Sequence, residues 1–264
     1  RYDRAVTVVA DGLVEPCFTD NASEADAAQE FVQYMVEAVN VAGVSEEEYS
    51  NVTTYGRLNA APMIESFAGS VSRQEFVVER ADDNASWTVT SASANPGTTE
   101  YDNDGGMLRF TGVTTGDSAS FISGSYSVDG MAHPALMLHF LYPTGTNRAL
   151  TATIYTEEGG VASTVSREAA PAEGISGWQR LIMPLEGNPD KVQIILTGEN
   201  YGEYALSFYV DDIRLIDLPT PNVNVSAFSA PAIVEANCDF NLRAYVENSG
   251  ATDVTATVSL LLNG

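Results

Sequence analysis

Basic side chains are scarce. Against 36 Asp+Glu the 264-residue chain sets only 12 Lys+Arg, a formal charge of −24 at neutral pH. A field of that sign repels phosphate backbones and anionic lipid headgroups, which removes nucleic acid from the partners to consider. Cysteine and histidine are nearly absent, with two of each. Cys17 and Cys238 lie near opposite ends, so they are expected in different domains rather than in one disulfide, and no CxxC or Cys/His cluster offers a zinc site. His133 precedes Pro134 in a turn and His139 lies in an apolar run; neither belongs to an HExxH or HxH motif. There is no GxSxG elbow and no P-loop. No apolar run reaches membrane-spanning length, so membrane insertion by this segment is not expected. Without an initiator Met or a signal peptide, the sequence reads as an internal piece of something larger.

What is present is globular. With 44% hydrophobic and 18% charged residues, and Leu, Val, Ile and Phe spread along the whole length, the chain has the apolar material for real cores. Short alternating runs dominate: RAVTVVA (4–10), FVQYMVEAV (31–39), SWTVTSA (86–92), PALMLHFLY (134–142), LTATIYT (150–156), KVQIILTG (191–198) and FNLRAYVEN (240–248). Clusters of Gly, Pro, Asn and Asp separate them, which predicts an all-β protein. SEADAAQEFVQYMVEAV (23–39) has helix-forming Ala and Glu, but its second half alternates with period two and favours a loop followed by a strand. Two joints, YGRLNAAP (55–62) and DLPTPN (217–222), divide the chain into 1–57, 58–218 and 219–264. The outer pieces are short for independent all-β domains and are expected to lean on the middle.

One stretch asks for an explanation. SFYVDDIRLID (207–217) places Asp211 and Asp212 in the middle of a strand, and the apolar parity shifts by one across them, as a β-bulge would require. An unpaired carboxylate there is costly. The pair calls for a cation, a buried arginine or a tight backbone turn.

Residues 31–45, FVQYMVEAVNVAGVS, resemble the end of a fibronectin type III domain, with Phe31, Met35, Ala38, Asn40, Gly43 and Ser45 in the motif places. The middle piece resembles the jelly-roll modules of MAM-like, cleaved-adhesin and choice-of-anchor type found in secreted Bacteroidetes proteins. IESF (64–67), Trp87, GDSASFISGSYSVDG (116–130), PALMLHFLY, Trp178 and VDDIRL (210–215) carry that likeness. The last piece, through YVENSG (245–250), resembles the start of a CARDB-like immunoglobulin-type module. Together these imply a central jelly-roll β-sandwich flanked by fibronectin type III-like and immunoglobulin-like modules. They imply a noncatalytic, extracellular or cell-surface chain that adheres to a host or matrix glycan or protein, or presents an enzyme elsewhere in its parent polypeptide. The alternatives are a glycanase or peptide hydrolase, or its accessory domain, and a passive spacer.

The jelly-roll likeness also implies structural calcium (Ca2+) between the first and last strands, with Glu65 and Asp211 or Asp212 as ligands; such an ion needs six to eight oxygens. EYDNDGG (100–106) adds Asp102 and Asp104 as weaker candidates, since it has the look of half an EF-hand loop but lacks the distal glutamate. Sugar binding would use exposed aromatic faces. Tyr101, Tyr142, Tyr201 and Tyr204 are the candidates, while Trp87 and Trp178 occupy positions that pack the core in the resembled modules. Asp117-Ser118-Ala119 matches a short O-glycosylation pattern, a triplet that recurs by chance.

Overall fold

The computed structural model describes residues 6–15, 17–20, 28–81, 83–95, 98–143, 147–171, 177–229 and 235–260, without the side chains of 226–229. The amino-terminal segment carries β1 (Glu30–Val32), β2 (Met35–Val36), β3 (Val39–Asn40), β4 (Gly43–Val44), β5 (Glu48–Tyr49) and β6 (Thr53–Tyr55). The central strands are β7 (Asn59–Ala60), β8 (Met63–Glu65), β9 (Phe76–Arg80), β10 (Ser86–Thr90), β11 (Met107–Gly112) and β12 (Ser118–Ser127). They continue as β13 (Pro134–Leu141), β14 (Arg148–Glu158), β15 (Val161–Glu168), β16 (Gln179–Pro184), β17 (Lys191–Asn200) and β18 (Leu206–Asp217). Last come β19 (Val223–Ser229) and β20 (Arg243–Asn248), which pair antiparallel. No α-helix occurs among the described residues.

The centre is a jelly-roll β-sandwich. One sheet runs β10-β11-β18-β13-β16, with β8 also on β18; the other runs β15-β14-β17-β12-β7, with β9 also on β12. Alternation along β13 sends Leu136, Leu138 and Phe140 into the core, where they join Phe208, Val210, Ile213 and Leu215 of β18 and Leu150, Ala152 and Ile154 of β14. Trp87 donates its indole N–H to Ala119 O at 2.8 Å from within that core. Its ring packs against Phe110 at 5.3 Å and edge-on to Phe208 at 5.4 Å. Trp178 takes a different place. It packs with Met107, Leu141 and Tyr209 in a smaller cluster outside the main core.

The two flanking segments attach differently. In β12 the register with β17 shifts between Ile122 and Ser125, and on the opposite side of the strand Ser125 falls between the end of the β9 ladder at Ser123 and the start of the β7 ladder at Tyr126. Gln29 meets the Ser125 backbone with both ends of its amide: its Oε1 accepts from Ser125 N at 2.7 Å and its Nε2 donates to Ser125 O at 3.0 Å. A Cβ at Gly124 would fall 2.5 Å from that Oε1, so glycine there leaves room for the Gln29 amide. Phe31 and Val52 bury themselves on Ile122, beside Val77 and Ile195. Among its described residues the amino-terminal segment thus buries Phe31 and Val52 against one face of the sandwich. At the other end Arg180 of β16 grips Glu247 of β20 bidentately, at 3.1 and 2.6 Å.

Several sequence expectations change. Residues 6–10 of RAVTVVA form no strand, and residues 4 and 5 lie outside the described residues. FVQYMVEAV is broken into two- and three-residue ladders rather than one strand. β15 was not anticipated at all, because VASTVSRE is exposed along its whole length and lacks the buried positions that mark a strand.

Gly198 in β17 marks a tight point of the core, since a Cβ there would lie 2.3 Å from the Phe110 ring. Gly198→Ala is expected to lower stability by about 1–3 kcal/mol through overpacking. In Gly198→Ala/Phe110→Leu the combined loss should fall short of the sum, as urea melts of the two single variants and the double variant will measure.

Candidate functional site

The Asp211–Asp212 pair sits on a bulge. Between Met137 and His139 the β13 partner advances by two residues while β18 advances from Asp211 to Arg214, and Asp212 adopts φ +52. Both carboxylates consequently lie on one side of the sheet, and both residues are buried. The same strand pairs Ile213 with Glu65 of β8, so the two distant segments do become neighbours.

Each acidic group has acquired a different environment. Glu65, fully buried, accepts from Phe67 N at 2.8 Å, Ser72 Oγ at 2.9 Å, Arg73 N at 2.6 Å and Gln74 N at 2.8 Å. Its charge is met by donors from the following turn. Asp212 Oδ1 accepts from Arg214 Nε at 2.6 Å. His139 Nδ1 lies 3.3 Å from Asp212 Oδ2, an ion-pair distance without a well-aligned hydrogen bond. Burial opposes ionisation of Asp212, but His139 and Arg214 outweigh it and hold the carboxyl below the usual range.

Asp211 is the group left under strain. Its Oδ2 accepts from Tyr101 N at 3.0 Å and its Oδ1 from Asp212 N at 2.8 Å. Those amides favour the anion, yet burial pushes its pKa up to about 8, helped by the charges of Asp102 and Asp104. Asp102 is itself raised by burial and by the neighbouring charges of Asp104 and Asp212. The loop that brings them is fastened at several points. Tyr101 stacks on His139 with centroids 3.5 Å apart and planes 13° apart, and meets Trp178 edge-on at 6.2 Å. Trp178 Nε1 donates to Thr99 O at 2.7 Å. Gly69 N donates to Asp104 O at 3.1 Å and Ser70 Oγ to Gly105 O at 2.7 Å, tying the loop to the turn after β8.

For a cation the donor chemistry is right in kind, hard oxygens only, but unequal in availability. Glu65 and Asp212 already have N–H and O–H donors on their oxygens. Among the described residues no three acidic or imidazole groups converge as a metal-holding set. Asp211, with Asp102 and Asp104 near it, is the part of the expected set whose charge lacks a positive partner in the contacts above.

The tyrosines separate into three settings. Tyr142 is a packing residue: it meets Phe140 and Phe208 edge-on at 5.6 and 5.4 Å, its hydroxyl accepts from Leu150 N, and burial pushes its pKa up to about 12. That corrects its candidacy as a sugar platform. Tyr101, 41% exposed, has one face occupied by His139. Tyr201 and Tyr204 are 51% and 77% exposed, on the turn between β17 and β18.

Asn200, which sequence reasoning did not single out, organises that turn. Fully buried, it donates from Nδ2 to Gly112 O and Tyr204 O, both at 3.1 Å, and accepts from Gly202 N at 2.8 Å. Tyr201 N donates to Asn147 O at 2.8 Å, and the Tyr201 hydroxyl donates to Glu199 Oε2 at 2.8 Å. Thr115 Oγ1 reaches Gly202 O at 3.0 Å. The available signal was the ENYGEY run itself, an amide before a glycine between two aromatics. Nearby Asp117 is likewise a buried turn former, accepting from Val113 N and Thr114 N at 2.7 and 2.6 Å, which gives that triplet a structural role.

No protein-family model matches the chain, and no curated protein matches it. Among solved structures it is similar to TmCBM61 in complex with beta-1,4-galactotriose, at TM-score 0.39 and 11% identity over 58% of this chain and 94% of that one. It is also similar to the K1 cleaved adhesin domain of Lys-gingipain from Porphyromonas gingivalis W83, at TM-score 0.39 and 14% identity over 59% and 98%. The family 11 carbohydrate-binding module from Clostridium thermocellum, in complex with a beta-1,3-1,4-mixed-linked tetrasaccharide, gives TM-score 0.36 and 14% identity over 58% and 95%. Identities this low leave function to the chain's own side chains.

Asp211 binds its proton more tightly folded than unfolded, so its contribution to stability is greatest at acid pH and declines as pH rises from about 4 toward 8. Removing the charges that push it upward should soften the decline. In chelator, Asp102→Asn/Asp104→Asn is expected to gain roughly 1 kcal/mol over the parent at pH 8 and little at pH 5. Denaturant unfolding at the two pH values measures this, and an equal gain at both would assign the effect to something other than Asp211.

Proposed function

We propose that the chain is a noncatalytic, extracellular glycan-binding part of a larger adhesive protein, and that the turn between β17 and β18 makes the sugar contact. The observation that carries this reading is the pairing of exposure with rigidity. Tyr201 and Tyr204 present their rings to solvent on a backbone held by the buried Asn200. A planar ring offers a sugar a stacking face, and a turn already ordered loses little further freedom on binding. Glu199, holding the Tyr201 hydroxyl, supplies an acceptor for sugar hydroxyls beside the ring. Binding fits this chemistry better than hydrolysis does, because the carboxyl most strongly raised, Asp211, is buried and bonded to the Tyr101 amide.

Calcium belongs to the same proposal: Asp102 and Asp104 do not converge with Asp211 into a metal-holding set here, so the 98–106 loop would have to close on the ion for the three to hold it. A divalent ion would offset the mutual repulsion of those carboxylates and fix the 98–106 loop.

Two experiments test these statements. On a glycan array the full chain is expected to bind, and Tyr204→Ala should weaken binding to the ligand so found by about tenfold or more, near 1.4 kcal/mol. Tyr142→Phe keeps the packing ring and should leave binding unchanged; a blank array, or indifference to both Tyr201→Ala and Tyr204→Ala, would remove the reading. For the ion, calcium should raise the melting temperature of the parent and not that of Asp211→Asn. An unchanged parent melting temperature would eliminate it.

A further inference from the structure

We propose that the cleft between β15 and β16 binds an extended basic peptide, with the peptide backbone along the open edge of β15 and a lysine or arginine side chain in the cleft. This site is separate from the tyrosine turn and takes a different class of ligand.

The sandwich closes poorly at this margin. β15 is the outermost strand of one sheet and β16 the end of the five-strand order in the other. Among the described residues β15 pairs with β14 alone, and all eight of its residues are exposed. Val161 and Val165 line the cleft yet are 71% and 55% exposed. The resulting space is about 400 Å³, with Ile154 and Leu185 among its apolar walls and Glu158 and Glu186 among its polar ones. Among the described residues no lysine, arginine or histidine lines it. Gly187 lets the loop after β16 come close: a Cβ there would lie 2.8 Å from Glu158 Oε2.

Apolar walls beside two carboxylates match one kind of side chain, an aliphatic stem that ends in a cation. The edge beside it is open to pairing. Natural edge strands are protected by lysine, proline or bulges, and VASTVSRE has no lysine, no proline and an unbroken register with β14. Its one arginine, Arg167, is engaged with Ile182 O at 2.8 Å. Main-chain pairing gives such an edge affinity, and the cleft gives it a preference among peptides. Charge selects the occupant. At −24 the chain repels a second copy of itself and any acidic peptide, and attracts a basic one.

The test uses the full chain and two fluorescein-labelled nine-residue peptides, one alternating lysine with valine and one alternating glutamate with valine, read by anisotropy at physiological salt. The lysine peptide is expected to bind and the glutamate peptide not. Glu158→Gln/Glu186→Gln should weaken binding by about tenfold, and Val165→Lys, which places a cation in the cleft, should abolish it. Glu37→Gln/Glu46→Gln, an equal charge loss elsewhere on the surface, should leave binding within a factor of about two. Melting curves check that the variants fold, and the two Glu→Gln pairs decide if Val165→Lys does not. Absence of binding, or equal losses for the cleft pair and the control pair, overturns the proposal. Dimerisation of the parent in sedimentation, lost in Val165→Lys, would give the edge to a second copy and overturn it as well.

Discussion

The arrangement of the central module depends on one extra residue in its last strand. Without the bulge at Asp212, period-two alternation would send Asp211 and Asp212 to opposite faces, and one carboxylate would enter the hydrocarbon between the sheets. The positive φ at Asp212 absorbs the extra residue, so Val210 and Ile213 both remain in the core while the two aspartates share the other side. Asp is among the few residues besides glycine that adopt this conformation at modest cost. One acid therefore serves as the hinge of the bulge and as the partner of Arg214; the other anchors the Tyr101 amide. Local backbone geometry is converted here into a tertiary contact, since a loop more than a hundred residues earlier in the chain is held in place by it.

That contact carries a conflict which the other two carboxylates escape. Glu65 is just as buried as Asp211, yet it takes donors from four groups in the turn that follows it, and Asp212 has a guanidinium. Asp211 has two amides, and two acidic side chains near enough to raise its pKa further. Burial alone does not make a carboxylate unstable; the count of donors against neighbouring charges does. The acidic loop is thus held by a bond that its own charges weaken. Protonation of Asp211 removes its repulsion with Asp102 and Asp104, and gives up the charge that favours its two amide donors.

The parity break at Asp211–Asp212 was legible in eleven residues because a bulge leaves a local signature. The meeting of positions near 65 and 211 came from resemblance rather than from spacing, and the ladder between β8 and β18 bears it out. Arg214, two residues from Asp212 in β18, was legible as a partner for one of the two aspartates, and it is one. Tyr101 and His139 reach these groups only after β13, β18 and the 98–106 loop have come together, and a single sequence does not display which faces will oppose. Failures among the strands have the same origin. RAVTVVA has the alternation of a strand, but residues 6–10 gain no partner, whereas VASTVSRE lacks buried positions and forms a strand because β14 offers it a long edge. Alternation reports burial on one face, and hydrogen-bonded pairing is a separate condition.

The margins of the sandwich differ in what covers them, and this difference bears on function. The edge at β12 is taken by β7 and β9, and the amino-terminal segment lies against its neighbouring face, with Gln29 filling the gap between those two ladders at Ser125. Burying Phe31 and Val52 there removes that part of the sheet from any groove a ligand could use. The face toward β11 and β13 is covered too, by Trp178, Tyr101 and the loop they hold. What stays exposed lies at the limits of the sheets, at the turn bearing Tyr201 and Tyr204 and along β15, and the two binding proposals rest on that exposure.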